Sequence, residues 1–146
     1  MTTYRNILVA LDVSNEAESI LKRAIDIADK YQSNLILTNI VMPIATQTNY
    51  DLTPSIDIEI EQTLLKQSDN FLQKLTEQFG LTNAKVITSI GVPKHEIHRL
   101  CEEEKIDLVV IGTHGRHGRH GFSVLLGSTA NAILHGTKCD VLTVKV

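Results

Sequence analysis

Five short apolar runs, separated by segments with helical periodicity, constrain the fold of this chain more than any other feature of its sequence. The runs cover residues 6–11, 35–41, 85–90, 107–111 and 140–146. They are rich in β-branched residues and mostly lack strict alternation, which is typical of strands buried on both faces of a parallel sheet. Because helical segments separate them, the sequence predicts an open α/β sheet that is mostly or wholly parallel.

The first helical segment has a start signal, and the second has a stop signal. Asn15 and Glu18 have the spacing of a capping box, and they precede an amphipathic pattern that ends near Lys30. The longest segment, residues 56–79, repeats apolar residues on one helix face, and Gly80 is placed to end it. The apolar face of this predicted helix includes Ile60, Leu64, Leu65, Phe71, Leu72, Leu75 and Phe79.

The other two predicted helices are shorter, and one stretch of the chain has no period. A helix begins near Pro93, a residue favoured in the first turn, and the last one covers residues 126–135 with Gly136 as its C-cap. Residues 45–55 are polar and aperiodic, so they are predicted to form a mobile surface loop.

Length and composition exclude several classes of protein. A chain of 146 residues with a net charge of −3 predicts one domain over residues 1–146, and it has no basic stripe interleaved with aromatics. Nucleic-acid binding is therefore not expected. No apolar run approaches the roughly 20 residues that a membrane span needs, and no signal peptide is recognised, which predicts a cytoplasmic protein. Cys101 and Cys139 lie in apolar patterns and are predicted to be buried structural thiols in a reducing compartment.

The fourth apolar run ends in a glycine-rich stretch that leads into a helix. Glycines recur at three-residue spacing at Gly112, Gly115, Gly118 and Gly121. Gly127, Ser128 and Thr129 then open the last helix, and Arg116 and Arg119 add positive charge. A strand, a glycine loop and a helix N-terminus together are typical of a phosphate-binding site. The stretch is not a P-loop, because Ser128 stands where that motif needs lysine, and it does not follow the first strand as a dinucleotide fingerprint does.

Asp12 is the second candidate, because it directly follows the first predicted strand. If the first and fourth strands are neighbours, Asp12 faces the glycine loop and can bind a ribose hydroxyl or a divalent cation that bridges to phosphate. A metal site built from His114, His117 and His120 is disfavoured, because no cysteine or carboxylate stands nearby in sequence to complete it.

These motifs resemble the universal stress proteins over essentially all 146 residues. The resemblance is carried by NILVALDVS, GVPKHEI, DLVVIGTHG, GSTANAIL and CDVLTVKV. It implies a single-domain α/β fold with an open, mostly parallel five-stranded sheet in the order 3-2-1-4-5 and helices on both faces. This class is Rossmann-like and similar to the adenine nucleotide alpha-hydrolases.

The resemblance also implies which residues bind a nucleotide. Gly115, Gly118, Gly127 and Ser128 would hold phosphate and ribose, with Gly112 and Thr129 beside them. Asp12 would meet ribose or phosphate, and the backbone of Ile40 would meet adenine. The repeated Gly-Arg-His triplet allows two registers. The pair Gly112 and Gly115 leaves eleven residues before Gly127, and the preferred pair, Gly115 and Gly118, leaves eight.

The function implied by the resemblance is that of a cytoplasmic stress-response protein with a regulatory or protective role. It would bind ATP, or AMP or ADP, with or without Mg²⁺, and the nucleotide would order the glycine loop for an unidentified protein partner. A homodimer is expected through the exposed edge from Leu142 to Val146. The alternative is a dimeric interaction module that binds no nucleotide. A slow ATPase is less favoured, because spacing alone assigns no general base.

Overall fold

The central strand of the protein is its first strand, β1 (Asn6–Ala10), which has a parallel neighbour on each side. The computed structural model describes residues 3–43, 54–113 and 128–146. The other strands are β2 (Asn34–Val41), β3 (Lys85–Ile90), β4 (Leu108–Gly112) and β5 (Asp140–Val144). All four strand pairs are parallel and the order is β3-β2-β1-β4-β5, which confirms the predicted sheet.

The helices cover both faces of the sheet, as predicted. They are α1 (Ala17–Tyr31), α2 (Pro54–Gln78), α3 (Pro93–Glu103) and α4 (Ser128–Gly136). Side chains of β1 alternate between two apolar clusters. Ile7 and Val9 pack with α1 and α2, whereas Leu8 packs with Ile97 of α3 and Ile133 of α4. Burial of β1 on both faces explains why its sequence is continuously apolar.

The predicted capping box of α1 is wrong. The N-cap is Glu16, and its side chain makes no capping hydrogen bond. Ser14 instead donates its hydroxyl hydrogen bond to Asp12 Oδ1 over 2.6 Å, so the short polar residues before α1 stabilise the turn after β1. The predicted end of α2 is confirmed. Gly80 has a left-handed φ of 66°, and Leu81 N–H closes the turn on the Thr76 carbonyl at 2.8 Å.

The N-terminal part of α2 differs from its prediction. The helix begins at Pro54, within the stretch predicted to be a loop, and proline suits a first turn because that turn needs no N–H donor. The rest of that predicted loop, to residue 53, lies outside the described residues. Leu72 is fully buried, but Ile60 is 36% exposed and Ile58 is 55% exposed. The prediction that Ile60 lies on a buried face is therefore wrong.

The last helix, α4, also differs at its ends. Its predicted start at Leu126 lies outside the described residues, and Gly136 is the final helical residue rather than a cap beyond it. In the part of the chain that the structure describes, no helix combines the length and apolar character that crossing a bilayer requires.

Candidate functional site

The carboxyl edge of the sheet has a topological switch point between β1 and β4. The chain continues from β1 to β2 on one side and from β4 to β5 on the other. The pairing of β1 with β4 ends at Val9 and Val110. Asp12 and Gly112 follow these two residues and therefore lie beyond the β1–β4 pairing, at the carboxyl edge. The structure therefore brings these two predicted residues to one place, and switch points are where open α/β sheets bind ligands.

The Asp12 carboxylate has one satisfied oxygen and one unsatisfied oxygen. Oδ1 accepts the Ser14 hydroxyl hydrogen bond, and Ser14 N–H donates to the Asp12 carbonyl at 2.9 Å. Oδ2 is buried, and among the described residues it has no hydrogen-bond partner. A buried carboxylate oxygen without a donor costs free energy, so Asp12 is held in a position suited to accepting a donor or a cation from a ligand.

The backbone of Ile40 faces the same edge. The Thr38 carbonyl accepts Leu11 N–H from the β1 side, and the Val41 carbonyl accepts Gly91 N–H from the β3 side, both at 2.9 Å. Successive residues of a strand direct their main-chain groups to opposite neighbouring strands. Ile40 therefore presents its N–H and C=O to the β1 side, as Thr38 does. Ladder pairing of β1 with β2 runs only to Thr38, so Ile40 lies past its end.

Asn39 is a structural support of the site that sequence reasoning missed. Its Nδ2 donates to the Leu11 carbonyl, and its Oδ1 accepts the Ser68 hydroxyl hydrogen bond, both at 2.7 Å. Ser68 is buried within α2, so this amide joins the end of β1 to that helix. The available signal was a polar residue inside the otherwise apolar end of β2, together with a serine on the apolar side of α2.

Helix α4 directs its N-terminus toward the carboxyl edge. β5 begins at Asp140, which pairs with Leu108 at the amino edge, and only residues 137–139 separate it from α4. The C-terminus of α4 therefore lies near the amino edge, and Ser128 lies at the opposite end of the helix. Ala130 and Ile133 hold α4 in the apolar cluster with α3.

Thr113 anchors the beginning of the glycine stretch. Its N–H donates to the Val144 carbonyl at 2.9 Å, and its Oγ1 accepts Val146 N–H at 3.2 Å. Pairing with β5 therefore extends one residue beyond Gly112, so the glycine stretch leaves the sheet from a fixed point.

Several predicted residues cannot be placed. Gly115, Gly118 and Gly127, with the three histidines between Thr113 and Gly121, lie outside the described residues. Ser128 and Thr129 are placed at the start of α4 by their backbone only. Their roles in phosphate binding stay predictions. Within residues 3–43, 54–113 and 128–146, no cluster of three His, Cys, Asp or Glu side chains is arranged to hold a metal ion.

Comparison with known proteins decides the family. The sequence model of the Universal stress protein family matches residues 3–145. The chain belongs to the universal stress protein family. Universal stress protein A homolog 1 of Coxiella burnetii is 34% identical over 141 residues, which cover 97% of this chain and 96% of that protein.

Solved structures of universal stress proteins share the fold. UspA from Lactobacillus plantarum superimposes with a TM-score of 0.80 at 28% identity, covering 99% of both chains. A universal stress protein in complex with cAMP superimposes with a TM-score of 0.66 at 22% identity, covering 98% of both chains. At that identity the second likeness concerns the fold alone.

Proposed function

We propose that this universal stress protein binds an adenine nucleotide, with ATP as the leading ligand and AMP or ADP as alternatives, at the carboxyl edge between β1 and β4. It would act in the cytoplasm as a homodimer with a regulatory or protective role in the stress response. The nucleotide would order the loop from Thr113 to Leu126, and a protein partner would recognise that ordered loop.

The observation that carries this proposal is the buried, unpaired Oδ2 of Asp12 at the switch point. A ribose hydroxyl would satisfy this oxygen by donating a hydrogen bond, and a divalent cation such as Mg²⁺ would satisfy it by coordination. Phosphate alone would be repelled by the carboxylate. A nucleoside phosphate is favoured because it supplies a ribose for Asp12 and phosphates for the N-terminus of α4 and the glycine stretch.

Adenine is the base favoured by two considerations. The main chain of Ile40 offers one donor and one acceptor beyond the end of the β1 ladder, which is the pair that an adenine edge can match. The cAMP-bound relative, which shares the fold, also has an adenine base in its ligand.

Binding is tested first on the unmodified protein. Purified chain is denatured and the released small molecules are separated, and protein freed of ligand is then titrated with ATP, ADP, AMP and GTP. We expect one site per chain and a preference for adenine over guanine. Nucleotide at about one hundred times its Kd should raise the free energy of unfolding by about 2.7 kcal/mol, measured as a thermal shift. If no nucleotide co-purifies and none raises the Tm, the interaction module without nucleotide replaces this proposal.

The dimer proposal rests on the outer edge of β5. Thr113 N–H bonds the Val144 carbonyl, so alternation directs the main-chain groups of Val141, Thr143 and Lys145 away from β4. Within the described residues β5 pairs with β4 alone, which leaves this edge free for a second copy around a twofold axis.

Thr143→Pro should convert the dimer to a monomer while the protein stays folded. Proline removes the outward N–H of Thr143 but no donor of the β4 ladder, and edge strands tolerate it. Thr143→Val is the matched control, because it keeps the N–H and should remain dimeric. Light scattering at micromolar concentration measures the mass. A monomeric unmodified protein, or a dimer that persists in the proline variant, would contradict pairing through β5.

A further inference from the structure

The two cysteines of the chain meet at the other edge of the sheet from Asp12. Cys101 belongs to the last turn of α3, and Cys139 directly precedes β5. Their Sγ atoms lie 3.6 Å apart, and both residues are half-buried. The prediction that both thiols are buried is therefore wrong, because each is only half-buried, and sequence reasoning gave no sign of their proximity. A covalent S–S bond is about 2.05 Å long, so side-chain rotation has only a short distance to close.

The hydrogen bond between the two thiols favours ionisation of one and opposes ionisation of the other. Either sulfur can be the donor of this bond. The bond to Cys101 lowers the pKa of Cys139, burial opposes that shift, and the Thr137 side chain adds to it. The same hydrogen bond raises the pKa of Cys101, because loss of the Cys101 proton would leave a second thiolate beside that of Cys139, and burial raises it further. Of the two thiols, Cys139 is therefore the one more readily converted to the thiolate, the form that reacts with oxidants.

Cys139 is also accessible from solvent. It lines an open cavity of about 340 Å³ together with Tyr4, Ile106, Asp107 and Lys138. The carboxylate of Asp107 already has hydrogen-bond partners, because its Oδ2 accepts the backbone N–H groups of Arg5 and Asn6. A small oxidant can therefore reach Cys139 through a space that lies away from the nucleotide-binding edge.

We propose that Cys139 and Cys101 form a hydroperoxide-reactive thiol pair, in which Cys139 is the attacking thiol and Cys101 the resolving thiol. The Cys139 thiolate attacks one oxygen of the hydroperoxide, the O–O bond breaks, and the leaving alkoxide or hydroxide takes up a proton. Cys139 is thereby oxidised to sulfenic acid. The Cys101 sulfur then attacks the Cys139 sulfur and loses its proton, and hydroxide leaves as water. Two thiols and one hydroperoxide give one disulfide, one alcohol or water, and one further water.

The order of the two steps follows from access and from the shared hydrogen bond, because Cys139 lines the open cavity and Cys101 does not. While Cys139 is thiolate, it keeps the Cys101 proton in place and protects Cys101 from oxidation. Once Cys139 has become sulfenic acid, that acceptor is gone, and Cys101 can ionise and attack. The resulting disulfide would join the end of α3 to the segment between α4 and β5.

The test uses the whole chain and hydrogen peroxide as the oxidant. Stoichiometric peroxide should remove both free thiols, and non-reducing proteolysis should yield the Cys101 and Cys139 peptides joined within a monomer. Dithiothreitol should restore both thiols. In Cys101→Ser, Cys139 should stop as a sulfenic acid that dimedone traps. In Cys139→Ser, Cys101 should oxidise roughly tenfold more slowly than Cys139 does in the unmodified protein.

Two results would overturn the proposal. One is oxidation of Cys101 in Cys139→Ser at the rate seen for the unmodified pair, because Cys139 would then not be the attacking thiol. The other is a disulfide found only between chains, as a covalent dimer without dithiothreitol. Thermal unfolding of each serine variant verifies its fold. If a variant does not fold, the iodoacetamide footprint of the unmodified protein decides, with Cys139 expected to alkylate before Cys101.

Discussion

Asp12→Ala is expected to weaken ATP binding by about 10- to 100-fold without destabilising the free protein. A hydrogen bond to a charged group contributes about 1.5–3 kcal/mol, and 1.4 kcal/mol corresponds to tenfold in Kd. Stability should change by less than about 1 kcal/mol, because the substitution removes one hydrogen bond to Ser14 and also one buried oxygen that lacks a partner. A residue that binds the ligand should lose affinity on substitution while stability is retained, whereas a purely structural residue should not show this combination.

Calorimetric titration measures this effect, and the control is Asp26→Ala, which removes an exposed carboxylate of α1. Repeating the titration with EDTA and with 2′-deoxy-ATP separates the two roles of Asp12. If a bridging cation is required, EDTA weakens binding by the unmodified protein and brings it close to that of the variant. If Asp12 binds the ribose, the deoxy nucleotide loses affinity and EDTA has little effect. Equal ATP affinity in Asp12→Ala and Asp26→Ala would remove Asp12 from the site.

Leu72→Ala should lower the free energy of unfolding by about 2–5 kcal/mol, the range measured for buried leucines. Leu72 is fully buried where α2 packs against β2 and β3, so truncation leaves a cavity in the larger apolar cluster. Chemical denaturation with an unchanged m-value measures the loss. Nucleotide affinity should be unaffected at temperatures where the variant remains folded, because Leu72 lies in the core.

Ile58→Ala is the matched control on the same helix. Ile58 lies fourteen residues before Leu72, which places it within about 40° of the same helix face. Because Ile58 is 55% exposed, its truncation should cost less than about 1 kcal/mol. A loss at Ile58 as large as that at Leu72 would mean that the N-terminal part of α2 is covered in solution.

This contrast shows how far helical periodicity can predict burial. Periodicity identifies the face of α2 that can be apolar, and it identifies Leu72 and Leu75 correctly. Periodicity does not show at which turn the helix stops packing on the sheet, because the burial of each turn depends on whether another element covers it. Ile60 therefore has the pattern of a core residue and the exposure of a surface residue.

The candidate site divides in the same way. Asp12 and Gly112 could be identified because strand ends are visible in sequence, and residues at the carboxyl ends of neighbouring parallel strands share one edge. Asn39 and Ser68 could not be paired, because they are separated along the chain and only the packing of α2 on β2 brings them together. The capping box failed because α1 begins at Ala17 with Glu16 as its N-cap, so Asn15 lies one residue too early to cap the helix.

Local sequence patterns were sufficient for the elements of this protein, since strand and helix periodicities reflect burial on two faces or one. They also predicted a mostly parallel sheet, because helices separate successive strands. The pairs formed between distant segments depended on the folded chain. Cys101 and Cys139 are 38 residues apart and show no motif, yet α3 and the segment before β5 place their sulfurs in contact. The unsatisfied oxygen of Asp12 is likewise visible only in the folded protein, because burial and hydrogen bonding are properties of its three-dimensional surroundings.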